Sequence, residues 1–193
     1  VAAQPTADPG TPSADDDVAF QLYSSGTTGR PKGVMLSNAN FFGLLPLAKE
    51  MWELSPDAVN LVAMPLFHIG GGGWAVAGQY EGARSVIVRD LDPAALIGLI
   101  GAEGITHGFL VPAVLQFMLM IPGVDQADFS SLRVLVYGAS PISEEVLAKS
   151  VQTFQCKLWQ PYGLTETTGA VGHLAPDGHD GNAPDRRRRR SEG

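Results

Sequence analysis

Apolar and polar positions change period several times along the chain, and each change marks an element boundary. Residues 1–17 carry Ala, Pro, Asp and Thr with no apolar period, which predicts a disordered arm. Over residues 18–23 the pattern alternates like a strand, and Val34, Met35 and Leu36 form a second short apolar run. The segment between them therefore reads as a loop joining two strands. Ser37, Asn38 and Asn40 offer helix caps before a mostly apolar helical stretch, residues 41–54, which Pro46 should kink or shorten. Short runs of strand character recur at residues 59–64, 85–88, 105–111, 132–136 and 157–159. Helical segments separate them: Asp92 with Pro93 opens one, and residues 112–121 and 143–154 form two more. Strands alternating with helices predict an α/β fold, a mainly parallel sheet with helices on both faces built from right-handed βαβ units.

Ligands of such sheets sit beyond the carboxyl ends of strands. The polar and glycine-rich segments fall there: residues 24–33, 65–68, 138–141 and 162–166 each follow a strand-like run. All four loops are expected to converge on one edge.

Composition narrows the class without changing the picture. With 193 residues, 45% of them apolar and 17% charged, the chain has the make-up of one soluble globular domain able to bury a core. Its net charge is −7, although residues 186–190 are all Arg and supply five of the thirteen Lys and Arg side chains. The remainder is more acidic still, which argues against a nucleic-acid surface. A single cysteine, Cys156, excludes an internal disulfide, and no opening segment joins basic residues to an apolar stretch. The expected compartment is the reducing cytoplasm. No apolar run is long enough to cross a bilayer, so any membrane contact would be peripheral.

The chemistry begins in the loop between the first two strands, Tyr23-Ser24-Ser25-Gly26-Thr27-Thr28-Gly29-Arg30-Pro31-Lys32-Gly33. Glycines let backbone N–H groups turn toward an anion, and hydroxyls and one Lys add donors and a positive charge, as a phosphate loop requires. A Walker A loop needs Gly beside Lys, whereas Pro31 precedes Lys32 here, so this is a phosphate loop of another kind. Tyr162-Gly163-Leu164-Thr165-Glu166 is a second concentration of chemistry, with an aromatic to stack on a base, a hydroxyl for phosphate and a carboxylate for Mg²⁺.

The two motifs, in this order, resemble those of the adenylate-forming (AMP-binding) superfamily, which includes acyl-CoA synthetases, luciferases and the adenylation domains of peptide synthetases. Within it the chain resembles a fatty-acyl-CoA synthetase. The resemblance implies that Ser24, Ser25, Gly26, Thr27, Thr28, Gly29 and Lys32 grip the phosphates of ATP. It also implies that Tyr162 packs on adenine with Gly163 beside it in the cofactor site, that Thr165 contacts phosphate and that Glu166 helps bind Mg²⁺. Gly138-Ala139-Ser140-Pro141 resembles the small-residue adenine loop, and Pro65-Leu66-Phe67-His68 resembles a segment whose His lies near the acyl carboxylate. Lys32, Thr165, Glu166 and His68 are thus the expected catalytic set. His68, Gly71, Trp74 and Phe109 are expected to shape an acyl pocket, for which residues 70–73, Ala77 and Gly78 leave room and Val111 and Leu115 offer further wall.

Cys156 has no His partner nearby in sequence and reads as a small buried hydrophobe. His107 reads as structural, and His173 and His179 as part of a solvated polar tail.

The implied reaction joins a carboxylate, from a fatty or other apolar acid, to the α-phosphorus of ATP, releasing pyrophosphate. CoA then displaces AMP to give an acyl-CoA thioester. A carboxylate is already ionised at neutral pH, which agrees with the lack of any Ser-His or Cys-His arrangement. The resemblance covers residues 18–172, read as a partial AMP-binding domain, with residues 173–193 as a polar tail. The family's ribose-binding Asp, hinge and Lys-bearing C-terminal domain are not found in it. The expectation is therefore a truncated or frame-shifted stretch of a longer enzyme, poorly active alone. The alternatives are a non-catalytic nucleotide-binding fragment and an amino-acid-activating domain, the latter disfavoured because no acidic residue accompanies residues 65–68.

Overall fold

A computed structural model of the chain describes residues 5, 7–26 and 29–179. The expectations for Thr27, Thr28 and the Arg run at 186–190 lie outside these residues.

The chain enters an antiparallel hairpin, β1 (Val18–Ser24) and β2 (Lys32–Ser37), with Ser24 opposite Lys32 and Tyr23 opposite Gly33. The glycine-rich loop joins two strands, as the short apolar runs predicted. Ser37 then caps α1 (Asn38–Leu44) by accepting from the Asn40 backbone, while the Asn40 side chain bonds back to the Ser37 N–H. Ahead of the hairpin, the carbonyls of Ala14, Asp15 and Asp17 accept bonds from Asn38 and Ala39, which ties residues 14–17 to the start of α1. Pro46 breaks the apolar stretch into α1 and α2 (Leu47–Trp52), and Glu53 ends α2 in the left-handed region.

A six-stranded sheet follows, built from β3 (Val59–Val62), β4 (Arg84–Ile87), β5 (His107–Leu110), β6 (Val134–Tyr137), β7 (Lys157–Leu164) and β8 (Gly169–Leu174). Their order is β4-β3-β5-β6-β7-β8, parallel throughout except for antiparallel β8. Every residue of β5 and β6 is buried, as expected of central strands covered on both faces. The connection from β3 to β4 crosses the sheet in the opposite sense to those leading on to β5, β6 and β7. Right-handed crossovers therefore place α3 (Ile69–Tyr80) on one face and α4 (Pro93–Glu103), α5 (Pro112–Leu119) and α6 (Glu144–Phe154) on the other.

Three features differ from the sequence reading. The glycine-rich loop at residues 24–33 belongs to the separate hairpin, so three of the four loops, not all four, rise from the main sheet. Residues 162–164 continue β7 because β8 returns antiparallel beside it, and only residues 165–167 form a tight 3-10 turn. Ordered structure also runs past residue 172: β8 reaches Leu174, a short 3-10 turn spans Pro176–His179, and His179 is buried. The reading of His179 as a solvated tail residue is thus corrected, because its ring bonds the Tyr137 hydroxyl (2.8 Å) and the Ala175 carbonyl (3.0 Å).

Candidate active site

The hairpin loop and the β7–β8 connection meet. Ser24, at the end of β1, donates from Oγ to Glu166 Oε1 across 3.1 Å, joining residues 142 positions apart. Glycine is required on both sides of this junction. Gly26 has φ +65°, and a Cβ there would lie 2.4 Å from the Arg30 carbonyl and beside the Lys32 side chain. A Cβ on Gly163 would lie 1.6 Å from the Gly169 carbonyl, so β8 can approach β7 only over a bare backbone. Thr167, which the sequence reading passed over, stitches the turn together. Its hydroxyl accepts from Leu164 N–H (2.9 Å) and lies within bonding distance of the carbonyls of Leu164 (3.0 Å) and Gly169 (2.7 Å).

Around this junction, Lys32, Ser25, Gly29, Tyr162 and Glu166 are exposed, while Ser24, Gly26 and Thr165 are half-buried. An open polar surface with a lysine and a carboxylate at one junction suits a ligand carrying phosphate together with a divalent cation. Gly138 is buried, and a Cβ on it would meet the Pro161 carbonyl at 3.0 Å. Ala139 takes φ +69°, a left-handed conformation uncommon for a side-chain-bearing residue and of a kind that gathers at ligand sites. Ser140 and Pro141 stand exposed beside it.

Below this surface opens an apolar cleft with about 750 Å³ of empty space, its mouth included. Phe41, Leu44, Leu45, Ala48 and Trp52 of the α1–α2 pair form one wall, and Ile69, Gly70, Gly73, Trp74 and Ala77 of α3 form the facing wall. Phe109, Ala139, Pro161, Gly163 and residues 168–170 close the sheet side. No wall residue carries a charge.

Of the residues proposed from the sequence for an acyl pocket, Trp74 and Phe109 line this cleft, and Gly71 and His68 lie outside its lining. Gly71 is buried against the backbone, where a Cβ would lie 2.2 Å from the Pro65 carbonyl and 2.5 Å from that of Met64. His68 is exposed immediately before α3, its ring 4.7 Å from that of Phe67. Leu115 is fully buried in the core, and Val111 also lies outside the wall. The α1–α2 wall was missed by the sequence reading, although the apolar spacing of Phe41, Leu44, Leu45 and Ala48 carries its signal.

Burial pushes the Cys156 thiol up to about 12, which keeps it protonated and fits its reading as a hydrophobe. No cluster of three or more His, Cys, Asp or Glu side chains exists among the described residues. Nor is any described helix long and apolar enough to cross a membrane.

A mainly parallel α/β sheet, a hydroxyl- and glycine-rich hairpin loop and a Tyr-Gly-x-Thr-Glu sequence running from β7 into a 3-10 turn are together the features of an adenylate-forming fold. The chain matches the AMP-binding enzyme family over residues 2–192, and it belongs to that family. Among curated proteins it is 42% identical over 170 residues to the fatty acid–[acyl-carrier-protein] ligase ScoC of Streptomyces coeruleorubidus, covering 85% of this chain and 32% of that protein. It is 31% identical over 165 residues to the medium/long-chain-fatty-acid–CoA ligase FadD8 of Mycobacterium tuberculosis, covering 86% and 29%. The chain thus spans about a third of the length of these relatives. Among solved structures, the inhibitor-bound N-terminal domain of FACL13 from Mycobacterium tuberculosis superposes with a TM-score of 0.82 at 25% identity, over 91% of this chain and 44% of that one. ATP-bound MatB from Rhodopseudomonas palustris superposes with a TM-score of 0.75 at 27% identity, over 86% and 33%.

Proposed function

We propose that this chain carries the ATP- and acid-binding surfaces of an acid–thiol ligase that activates an apolar carboxylic acid as its adenylate. The observation that carries this reading is the Ser24–Glu166 bond, which joins the two polar motifs, together with an uncharged apolar cleft lined by Gly163 and Thr168 of the same β7–β8 connection. Lys32 and the hydroxyls and N–H groups of residues 24–29 bind the phosphates, and Tyr162 with residues 138–141 receives the adenine. Glu166 holds Mg²⁺. The donor set fits that ion: one exposed carboxylate suffices where phosphate oxygens and water complete an octahedron, and an all-protein cage is not needed. When bound, Mg²⁺ neutralises charge on the phosphates. The carboxylate of the acid stands at the cleft mouth near Ala139 and Gly163, in line for the α-phosphorus. Lys32 and the loop N–H groups stabilise the charge that develops there.

An amino-acid substrate is disfavoured, since no acidic side chain in the cleft wall could pair with an amine. The thiol of the second half-reaction belongs to a phosphopantetheine arm, on CoA or on a carrier protein. The names of FadD8 and ScoC support one each.

The test is binding of a fluorescent ATP analogue by the 193-residue chain with Mg²⁺, alongside carboxylate-dependent pyrophosphate release. Glu166→Gln should weaken Mg²⁺-dependent nucleotide binding about tenfold or more and lower any pyrophosphate release at least as much, with the circular dichroism unchanged. Mg²⁺-dependent binding indifferent to the substitution would remove Glu166 from the metal role. Nucleotide binding without turnover would favour the non-catalytic reading of the isolated chain.

A further inference from the structure

We infer that Trp52 is the end wall that limits acyl chain length, and that the cleft selects straight, medium-length fatty acids. The inference rests on the acid-ligase reading above and concerns the shape of the same cleft.

The cleft has a direction. At its upper end Gly169 faces both walls, since a Cβ on it would lie 3.6 Å from Leu44 and 3.7 Å from Ile69. Glu53, the residue after Trp52, reaches Lys157 at the start of β7, which places Trp52 toward the opposite end of that strand from the β7–β8 connection and the Ser24–Glu166 junction. Leu44, Ala48 and Trp52 follow one another down the α1–α2 wall, while Ile69, Gly73 and Ala77 follow one another down α3. The walls converge at the bottom, where the rings of Trp52 and Trp74 lie 5.4 Å apart.

Ala77 lies eight positions after Ile69, which sets the slot at about 12 Å long at the helical rise. A slot of that length holds an extended chain of roughly eight to ten carbons at a C–C bond of about 1.5 Å. The slot is narrow near its top, where Gly70 is pressed against Phe109, whose ring would lie 2.9 Å from an added Cβ. Half-way down, Gly73 offers no side chain of its own, and only the Ile69 side chain lies against it, 3.3 Å from an added Cβ. A straight chain passes such a waist more readily than a branched one.

The two tryptophans are not held alike. Trp74 donates from Nε1 to the Leu61 carbonyl at 3.1 Å and is fixed to β3. Trp52 Nε1 is buried with no hydrogen-bond partner, so packing alone holds this indole across the slot. Trp52 is therefore the part of the floor that substitution removes without cutting a bond to the sheet.

Binding of saturated fatty acids from six to sixteen carbons to the 193-residue chain, followed by calorimetry, tests this. The wild type should show an optimum near eight to ten carbons. Trp52→Ala should move it up by several carbons, and Gly73→Leu, which fills the slot half-way down, should move it down. Opposite shifts from opposite ends are not what general destabilisation produces, and Gly73→Leu keeps the test alive should Trp52→Ala not fold. An optimum that both variants leave in place would overturn the inference while leaving the acid-ligase reading intact. Failure of the folded wild type to bind any fatty acid would overturn both.

Discussion

Gly71 and Gly98 both lie inside helices, yet an added methyl group would meet opposite surroundings at the two positions. At Gly98, in α4, nothing lies within 4 Å of the Cβ position. Alanine there exchanges the least favourable common helix residue for the best, so Gly98→Ala should stabilise the fold by about 0.5–1 kcal/mol. At Gly71 the same methyl would press on two backbone carbonyls, Pro65 and Met64, neither of which can rotate away. Gly71→Ala should therefore cost about 3 kcal/mol or more and push α3 off the end of β3. Urea denaturation of both variants against the wild type reads the two signs, and equal effects would contradict the packing described. The residue scale also explains why Gly71 was read as pocket lining. Its neighbours Gly70 and Gly73 do face the cleft, and only helical phase, which a run of four glycines hides, turns Gly71 the other way.

Elements with their own end signals were legible from sequence, and elements made by their neighbours were not. α4 is of the first kind: Asp92 accepts from the Ala94 N–H at 2.9 Å, Pro93 opens the helix, and Gly104 closes it at φ +61°. Asp92→Ala should cost about 1 kcal/mol, with Asp92→Asn restoring most of it, as measured by the shift in denaturation midpoint. Pro46 likewise ended α1 where its ring demanded. α3 is of the second kind. Four glycines in its first half argue against a helix, since each costs nearly 1 kcal/mol relative to alanine. They are there because α3 lies close to the sheet, Gly71 against residues 64–65 and Gly78 against Asn60, whose amide would lie 2.3 Å from an added Cβ. β7 is similar, extending to Leu164 only because β8 pairs with it. In the site, both motifs were legible as chemistry, but their junction depends on a hairpin standing outside the sheet, which local patterns do not reveal.

Across the whole molecule, polar groups gather at both ends of the sheet, one end open and the other sealed. At the sealed end Asn60 of β3 pairs in register with His107 of β5, and both are fully buried. His107 Nδ1 lies 2.6 Å from the Thr106 hydroxyl, which in turn receives the Val59 N–H. Glu53, next to the Trp52 end wall, reaches Lys157 at 2.5 Å, and Asp57 reaches Arg133 at 2.7 Å. Burial, seconded by the Arg133 charge, holds the His107 pKa below its usual value of 6.5, with the Glu53 and Asp57 carboxylates and the Glu53 backbone opposing. A histidine kept neutral in the fold but free to protonate when unfolded favours unfolding as protons become available. Its stabilising contribution is therefore complete above about pH 6.5 and is lost as pH falls below that value toward the lower folded pKa. Asp57 acts in a separate window. Hydrogen bonds from Ser55 and Arg133 bring it from 3.8 down to about 2, so its contribution is lost only as pH falls below about 4. Urea midpoints at pH 8, 6.5 and 5 should fall at the acid end for the wild type. His107→Gln, less stable throughout, should lose less over the same interval. Histidine ring resonances give a check that survives a poorly folding variant: His107 should not titrate near pH 6.5 in the folded protein. A normal titration there, or parallel slopes for the two proteins, would show that the sealed end of the sheet admits a proton as freely as water does.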